Sequence, residues 1–115
     1  MSKSSKDAVL LHHILDAITQ IEKYLGESEF IRLQNDDMLT DALARRLEII
    51  GEASNTLSHE FKNKHSEIPF RKIIDMRNFL IHEYTKVERK IIWDTCKDDL
   101  PELKKQIQHI LDHQK

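Results

Sequence analysis

The chain has 115 residues, 39% of them apolar and 33% charged, with a net charge of −2. That size carries one hydrophobic core rather than two, and the balance of apolar to charged residues excludes a disordered chain. Two glycines and two prolines are too few turn formers for a β-sandwich or an α/β fold of this length, so long helices with few connections are expected.

From about Lys6 to Leu25, apolar residues fall at Leu11, Ile14, Ile18, Ile21 and Leu25. Spacings of three and four mark one face of a helix, which should stop near Gly26. The polar stretch Gln34-Asn35-Asp36-Asp37 supplies N-cap candidates for a second helix. Its stripe runs Leu39, Leu43, Leu47, Ile50, Ser54, Leu57 and Phe61, a long helix of about six turns. Asn63 to Ser66 reads as a loop, and Pro69 suits the first turn of a third helix. That helix is expected to fade near Tyr84-Thr85-Lys86. A last helical region covers Glu88 to about His113, with a capping-box-like Asp99-Leu100-Pro101-Glu102 inside it. Two consecutive helices or one kinked helix would satisfy that pattern. The expected fold is therefore all-α, one domain over residues 1–115, a bundle of four to five helices.

A single cysteine, Cys96, excludes an internal disulfide. No apolar run approaches the roughly 20 residues that span a bilayer. The start, Met1 to Asp7, is polar and lacks the apolar segment of a signal peptide. A cytoplasmic location away from the membrane is expected.

The small net charge hides an asymmetry. Residues 1–61 hold 6 basic and 11 acidic side chains, whereas residues 62–90 hold 8 basic and 4 acidic. The positive segment contains the most informative stretch of the chain, Arg77-Asn78-Phe79-Leu80-Ile81-His82-Glu83-Tyr84. A positive segment suits a polyanionic substrate, although a solvated helix face has the same composition.

On a helical wheel over residues 70–84, Phe70, Ile73, Ile74, Arg77, Leu80, Ile81 and Tyr84 share one face. Arg77 is the only charged member of that stripe. Arg71, Asp75, Asn78 and His82 form a second stripe, with Asn78 one turn from His82 and so placed to fix its tautomer. Polar groups in an apolar run are destabilising unless paired or used. Arginine binds phosphate with a bidentate fork, and histidine gives or takes protons near neutral pH. Together they suit transesterification at an RNA phosphodiester. Arg77 and His82 lie about 140° apart on a helix, and one histidine would have to serve as both base and acid. A two-fold dimer with two copies of the motif in one cleft removes both difficulties. The competing reading pairs Arg77 with Asp75 or Asp41 as a structural ion pair and leaves His82 as a helix cap.

The pattern Arg77-x4-His82-x-Tyr84, with Asn78 after the arginine, resembles the R-x4-H-x-Y signature of HEPN-domain ribonucleases. Ile49-Ile50-Gly51-Glu52-Ala53, Ile68-Pro69-Phe70-Arg71, Ile74-Asp75-Met76-Arg77-Asn78, Trp93-Asp94-Thr95 and Asp99-Leu100-Pro101-Glu102-Leu103 resemble the HepT-like toxin branch. The likeness runs from Asp7 to Ile107. It implies an antiparallel HEPN-like helical bundle that homodimerises, with facing motifs. It also implies a metal-independent endoribonuclease, the toxin of a type VII toxin–antitoxin pair. The partner implied is a minimal, MntA-like nucleotidyltransferase antitoxin that adenylylates the motif tyrosine and can assemble with the toxin into a larger hetero-oligomer. Carried onto this chain, Arg77 and His82 are catalytic, Asn78 supports them, and Tyr84 is the modification site. No cofactor is implied. A non-catalytic helical module that binds nucleotide or serves the nucleotidyltransferase remains the alternative function. A purely structural dimer would leave Arg77, Asn78 and His82 without a purpose.

Other signals are weaker. His109 and His113 have the spacing of two metal ligands but no third partner or H-E-x-x-H pattern. His12-His13 read as surface or interface residues, and His59 and His65 as solvated groups beside a loop. Cys96 reads as a buried thiol. Trp93 is a neighbour of the stripe Ile92, Cys96, Leu100 and Leu103, and is expected at a bundle edge or interface.

Overall fold

Asp7, near the start of the first helix, is 6% exposed and holds the chain 51 residues further on. The computed structural model describes residues 3–77, 80 and 86–113. The first helix, α1, covers Lys3–Leu25, and Leu11, Ile14, Ile18, Ile21 and Leu25 are all buried. Gly26 ends it with φ +51°, a left-handed conformation that glycine adopts without a Cβ clash. A six-residue helix, α2 (Phe30–Asn35), follows; the periodicity gave no sign of it because only Leu33 within it is buried.

The next helix, α3, spans Asp37–Thr56. Asp36 caps it as expected, its carboxylate accepting from Leu39 N at 2.9 Å. The stripe from Leu39 to Phe61 is buried throughout, but one helix does not carry it. The chain breaks at Leu57 (φ −52°, ψ 146°) and restarts as α4, His59–Lys64. The cause is tertiary. Asp7 accepts from Ser58 N at 2.9 Å and from the Ser58 hydroxyl at 2.7 Å. The same hydroxyl accepts from Phe61 N at 3.1 Å and caps α4. The start of α1 thus meets the end of α3, and the Arg46 guanidinium of mid-α3 donates to the Tyr24 hydroxyl near the end of α1 at 3.3 Å. The two long helices are antiparallel.

Phe70–Met76 forms α5, with Pro69 as its N-cap rather than within its first turn. The C-terminal run consists of α6 (Lys86–Asp94), a π-helical turn (Thr95–Asp99) and α7 (Leu100–Asp112). This is the interrupted helix expected there. Pro101 supplies the reason. Proline lacks an N–H and its ring collides with the carbonyl four residues back, and the wider π turn relieves that crowding. Leu100 N donates to Thr95 O across the widened turn. Asp99 makes no capping hydrogen bond, because it is itself helical at φ −84° and ψ −41°. The anticipated capping box is absent, and the Asp99 carboxylate instead meets Lys72 of α5 at 3.2 Å.

The all-α class is as expected, and the described residues include no strand. Leu11, Ile14 and Ile18 of α1, Leu43 and Ile50 of α3, Ile92 of α6 and Ile107 of α7 form the innermost layer. Lys104 ties α7 to Glu22 of α1 at 2.9 Å. No helix among the described residues is long and apolar enough to cross a membrane.

Candidate functional site

The helix carrying the Arg77 motif is described as α-helix only to Met76, so a wheel drawn on to residue 84 has its described support over the first half alone. Arg77 follows in helical dihedrals, φ −53° and ψ −32°. Its carbonyl accepts from Leu80 N at 3.2 Å, closing a tight turn. Phe70, Met76 and Leu80 are buried, and Ile73, Ile74 and Arg77 are half-buried. Arg77 therefore sits at the margin of the apolar face, as the wheel placed it. Asn78, His82 and Tyr84 lie outside the described residues.

The stem of Arg77 packs on α3. A methyl group placed on Gly51 would lie 3.3 Å from Arg77 Cβ and 3.9 Å from its Cδ. The methylenes thus rest across the glycine while the guanidinium extends beyond them, a division common for long cationic side chains at a core's edge.

Neither carboxylate named for a structural ion pair, Asp75 or Asp41, pairs with Arg77. Asp75 turns to Arg71, at 3.3 Å between two exposed side chains, and Asp41 is exposed. Arg77 has no ion pair or hydrogen bond from its side chain to any described residue. Five other cations of the positive segment are engaged, Arg71 among them. Lys72 pairs with Asp99, Lys90 with Asp94 at 2.9 Å, and Lys62 donates to Asn55 O at 3.1 Å. Arg89 is the most committed. It donates to Leu33 O and Thr40 Oγ1, both at 2.8 Å, and to Asp37 Oδ1 at 2.6 Å. Thr40 is fully buried, so this arginine pins α6 to the corner between α2 and α3. The excess of positive charge is a set of separate local pairs. Arg77 and the exposed Lys64 stand outside them among the described residues.

Several residues weighed from the sequence resolve as structural. Burial pushes the Cys96 thiol up to about 12, with Lys97 pulling slightly the other way; a thiol so raised is inert as a nucleophile. Trp93 is half-buried at the bundle edge, its ring 6.0 Å from Phe30 and with Lys97 Nζ 5.0 Å away. His65 is less solvated than expected, stacked on Phe61 at 4.5 Å and beside Glu67 at 3.4 Å. His113 lies against His109 and places its Nδ1 2.8 Å from that residue's carbonyl. Among the described residues, no three His, Cys, Asp or Glu side chains are grouped to hold a metal ion.

A cavity of about 360 Å³ lies between α5, the π turn and α7. Leu47, Ile50, Ile73 and Leu103 give it an apolar floor, while Glu67, Asp98, Asp99 and Glu102 stand on its rim. Four carboxylates against the single Lys72 repel phosphate, so the cavity is no seat for a nucleic-acid backbone.

Residues 14–110 match the family model described as "Ribonuclease HepT-like". The chain belongs to the HepT-like ribonuclease family. The matched span contains Gly51, Arg77 and the whole R-x4-H-x-Y stretch. A protein of Thermococcus cleftensis named "Probable ribonuclease HepT" is 42% identical over 90% of this chain and 93% of its own length. One from Caldanaerobacter subterraneus subsp. tengcongensis, named as a candidate RNase, is 43% identical over 91% of this chain and 94% of its own. A Methanocaldococcus jannaschii protein named as a gamma-glutamylcyclotransferase and candidate RNase is 38% identical over 90% of this chain, which spans 47% of that longer protein. No solved structure matches the chain. As a HepT-like ribonuclease, the chain is an enzyme of the class that the motif implied.

Sequence reasoning missed two contacts, that of Gly51 with Arg77 and those of Arg89 across the fold. Gly51 stood in a stretch resembling the HepT-like branch and as an isolated glycine within a helix, a pattern that often marks close packing, but neither named Arg77 as what it meets. Arg89 was grouped with the other cations, and nothing in its neighbourhood announces that its partners lie some fifty residues away.

Proposed function

We propose that this HepT-like ribonuclease cuts RNA without a metal, by attack of a 2′-hydroxyl on the adjacent phosphorus. His82 takes the 2′-OH proton or delivers one to the departing 5′-oxygen, and Arg77 binds the phosphate oxygens as negative charge builds on the phosphorane. The new P–O2′ bond forms as the P–O5′ bond breaks, leaving a 2′,3′-cyclic phosphate and a 5′-hydroxyl. Asn78 holds His82 in the required tautomer. A homodimer brings two copies of His82 and Arg77 to one cleft, so that one imidazole serves as base and the other as acid.

One observation carries this reading. Arg77 is a half-buried arginine whose stem is fixed against α3 and whose guanidinium has no partner among the described residues, in a chain of a ribonuclease family. An arginine kept for structure has its carboxylate or carbonyl partners, as Arg89 does. The test is cleavage of an RNA oligonucleotide in EDTA by the wild type, Arg77→Ala and His82→Ala. Cutting by the wild type and its loss in both variants is expected. Activity that requires a divalent ion, or that survives either substitution, sinks the mechanism.

The biological role we infer is that of the toxin in a type VII toxin–antitoxin pair in the cytoplasm, silenced by a minimal MntA-like nucleotidyltransferase. AMP on Tyr84 would add negative charge and bulk two residues from His82, and so repel an incoming phosphate. Intact mass of the protein produced with and without the neighbouring nucleotidyltransferase gene tests this. One AMP on the wild type and none on Tyr84→Phe is the expected result. Modification of both proteins, or of neither, contradicts it.

A further inference from the structure

Gly51 lies buried in the C-terminal half of α3, in ordinary helical backbone rather than in the left-handed region where glycine is needed. Glycine inside a helix is less favourable than alanine, so the position is occupied at a disadvantage to α3. What the missing side chain permits is a close approach. A Cβ on residue 51 would stand 3.3 Å from Arg77 Cβ, inside the usual 3.5–4.0 Å between carbons. The next nearest atom, the Ile73 carbonyl oxygen, would be 3.4 Å away, an ordinary contact. The intrusion falls on Arg77.

We propose that Gly51 is a positioning residue for Arg77. Its absent side chain lets the arginine stem lie directly on the backbone of α3, and that contact sets where the guanidinium meets the phosphate. The inference rests on the catalytic reading of Arg77. Arg77 follows a helix of only seven residues, and no described partner anchors its guanidinium. An added methyl would therefore displace Arg77 by a few tenths of an ångström and leave the core in place. A displaced phosphate-binding group loses rate because a shift of about 1 Å can reduce turnover on the order of a hundredfold.

The test compares wild type, Gly51→Ala, Arg77→Ala and the double variant. It uses single-turnover RNA cleavage in EDTA, thermal midpoints, and the Arg77 Nε–Hε resonance by NMR. Gly51→Ala should lower the cleavage rate roughly fivefold to fiftyfold, with KM within about twofold of the wild type. Its thermal midpoint should be unchanged or raised, because alanine favours the helix. Added to Arg77→Ala, the substitution should cause no further loss, since its effect passes through the guanidinium. A wild-type rate in Gly51→Ala beside an inactive Arg77→Ala overturns the inference. So does a lowered midpoint, a failure to fold, or an equal loss in the Arg77→Ala background, each of which places the contact in the core. If Arg77→Ala cleaves like the wild type, the catalytic reading itself fails. The resonance then still decides whether Gly51 places the side chain, with a shift in Gly51→Ala expected and an unmoved signal refuting it.

Discussion

Arg77 and Arg89 belong to the same positive segment, yet the fold holds their side chains in opposite ways. The Arg89 side chain is 15% exposed and donates to a backbone carbonyl, a buried hydroxyl and a carboxylate. Arg77 has its stem packed on Gly51 and its guanidinium without a described partner. One arginine closes a corner of the fold, and the other lies at its margin, where the proposed mechanism uses it. Charge along the sequence cannot separate the two, because the difference lies in what each guanidinium meets across the fold. A cation held by a carbonyl, a hydroxyl and a carboxylate is spent on stability, whereas a placed cation with no partner among the described residues is available to a ligand.

Substitution should divide the pair cleanly. Arg77→Ala and His82→Ala should each lower RNA cleavage by roughly 10²–10⁴-fold, the range for losing an acid–base group or a preorganised charge. Arg77→Ala should leave stability within about 0.5 kcal/mol of the wild type, as for a residue outside any bonded network, read as an unchanged urea midpoint. Arg89→Ala should do the reverse. Loss of its hydrogen bonds to Leu33 and Thr40 should lower stability by about 2–3 kcal/mol, while the folded fraction keeps its cleavage rate. If Arg89→Ala abolished cleavage at full stability, the contrast between the two would collapse.

Smaller effects sharpen the contrast. Asp37 is 84% exposed although it faces Arg89, so Asp37→Asn should reduce stability by no more than about 1 kcal/mol, and less at high salt. The work at that corner is done by the buried carbonyl and hydroxyl. Ser54 is fully buried, and its hydroxyl has no hydrogen-bond partner among the described residues. Ser54→Ala should be neutral or stabilising by about 1 kcal/mol, measured by denaturant melt. Cys96 marks the inert end of the scale. Its folded pKa is raised to about 12, so any stability it contributes is full below the ordinary thiol pKa and is lost as pH rises toward 12. Alkylation by iodoacetamide at pH 9 should be far slower in the folded protein than in urea.

The long elements were readable because their causes are local. The stripe from Leu11 to Leu25, the stop at Gly26 and the Asp36 cap all act within a turn or two of where they stand. The break at Leu57-Ser58 was not readable, because the group that fixes it is Asp7 at the far end of the chain. The short α2 escaped because its burial rests on Leu33 alone. Pro101 did announce the interruption between α6 and α7, though not its π-helical form, and Asp99 left the capping role for Lys72. At the site, the edge position of Arg77 followed from the period of the apolar residues. Its contact with Gly51 did not, since periodicity assigns faces and not the distance between helices.

The chemistry of the cut ends tests the central claim most directly. RNA incubated with the wild-type protein in EDTA should yield fragments ending in 2′,3′-cyclic phosphate and 5′-hydroxyl, and His82→Ala should yield none. Fragments with 3′-hydroxyl and 5′-phosphate ends, or cleavage only after a divalent ion is restored, would contradict the account.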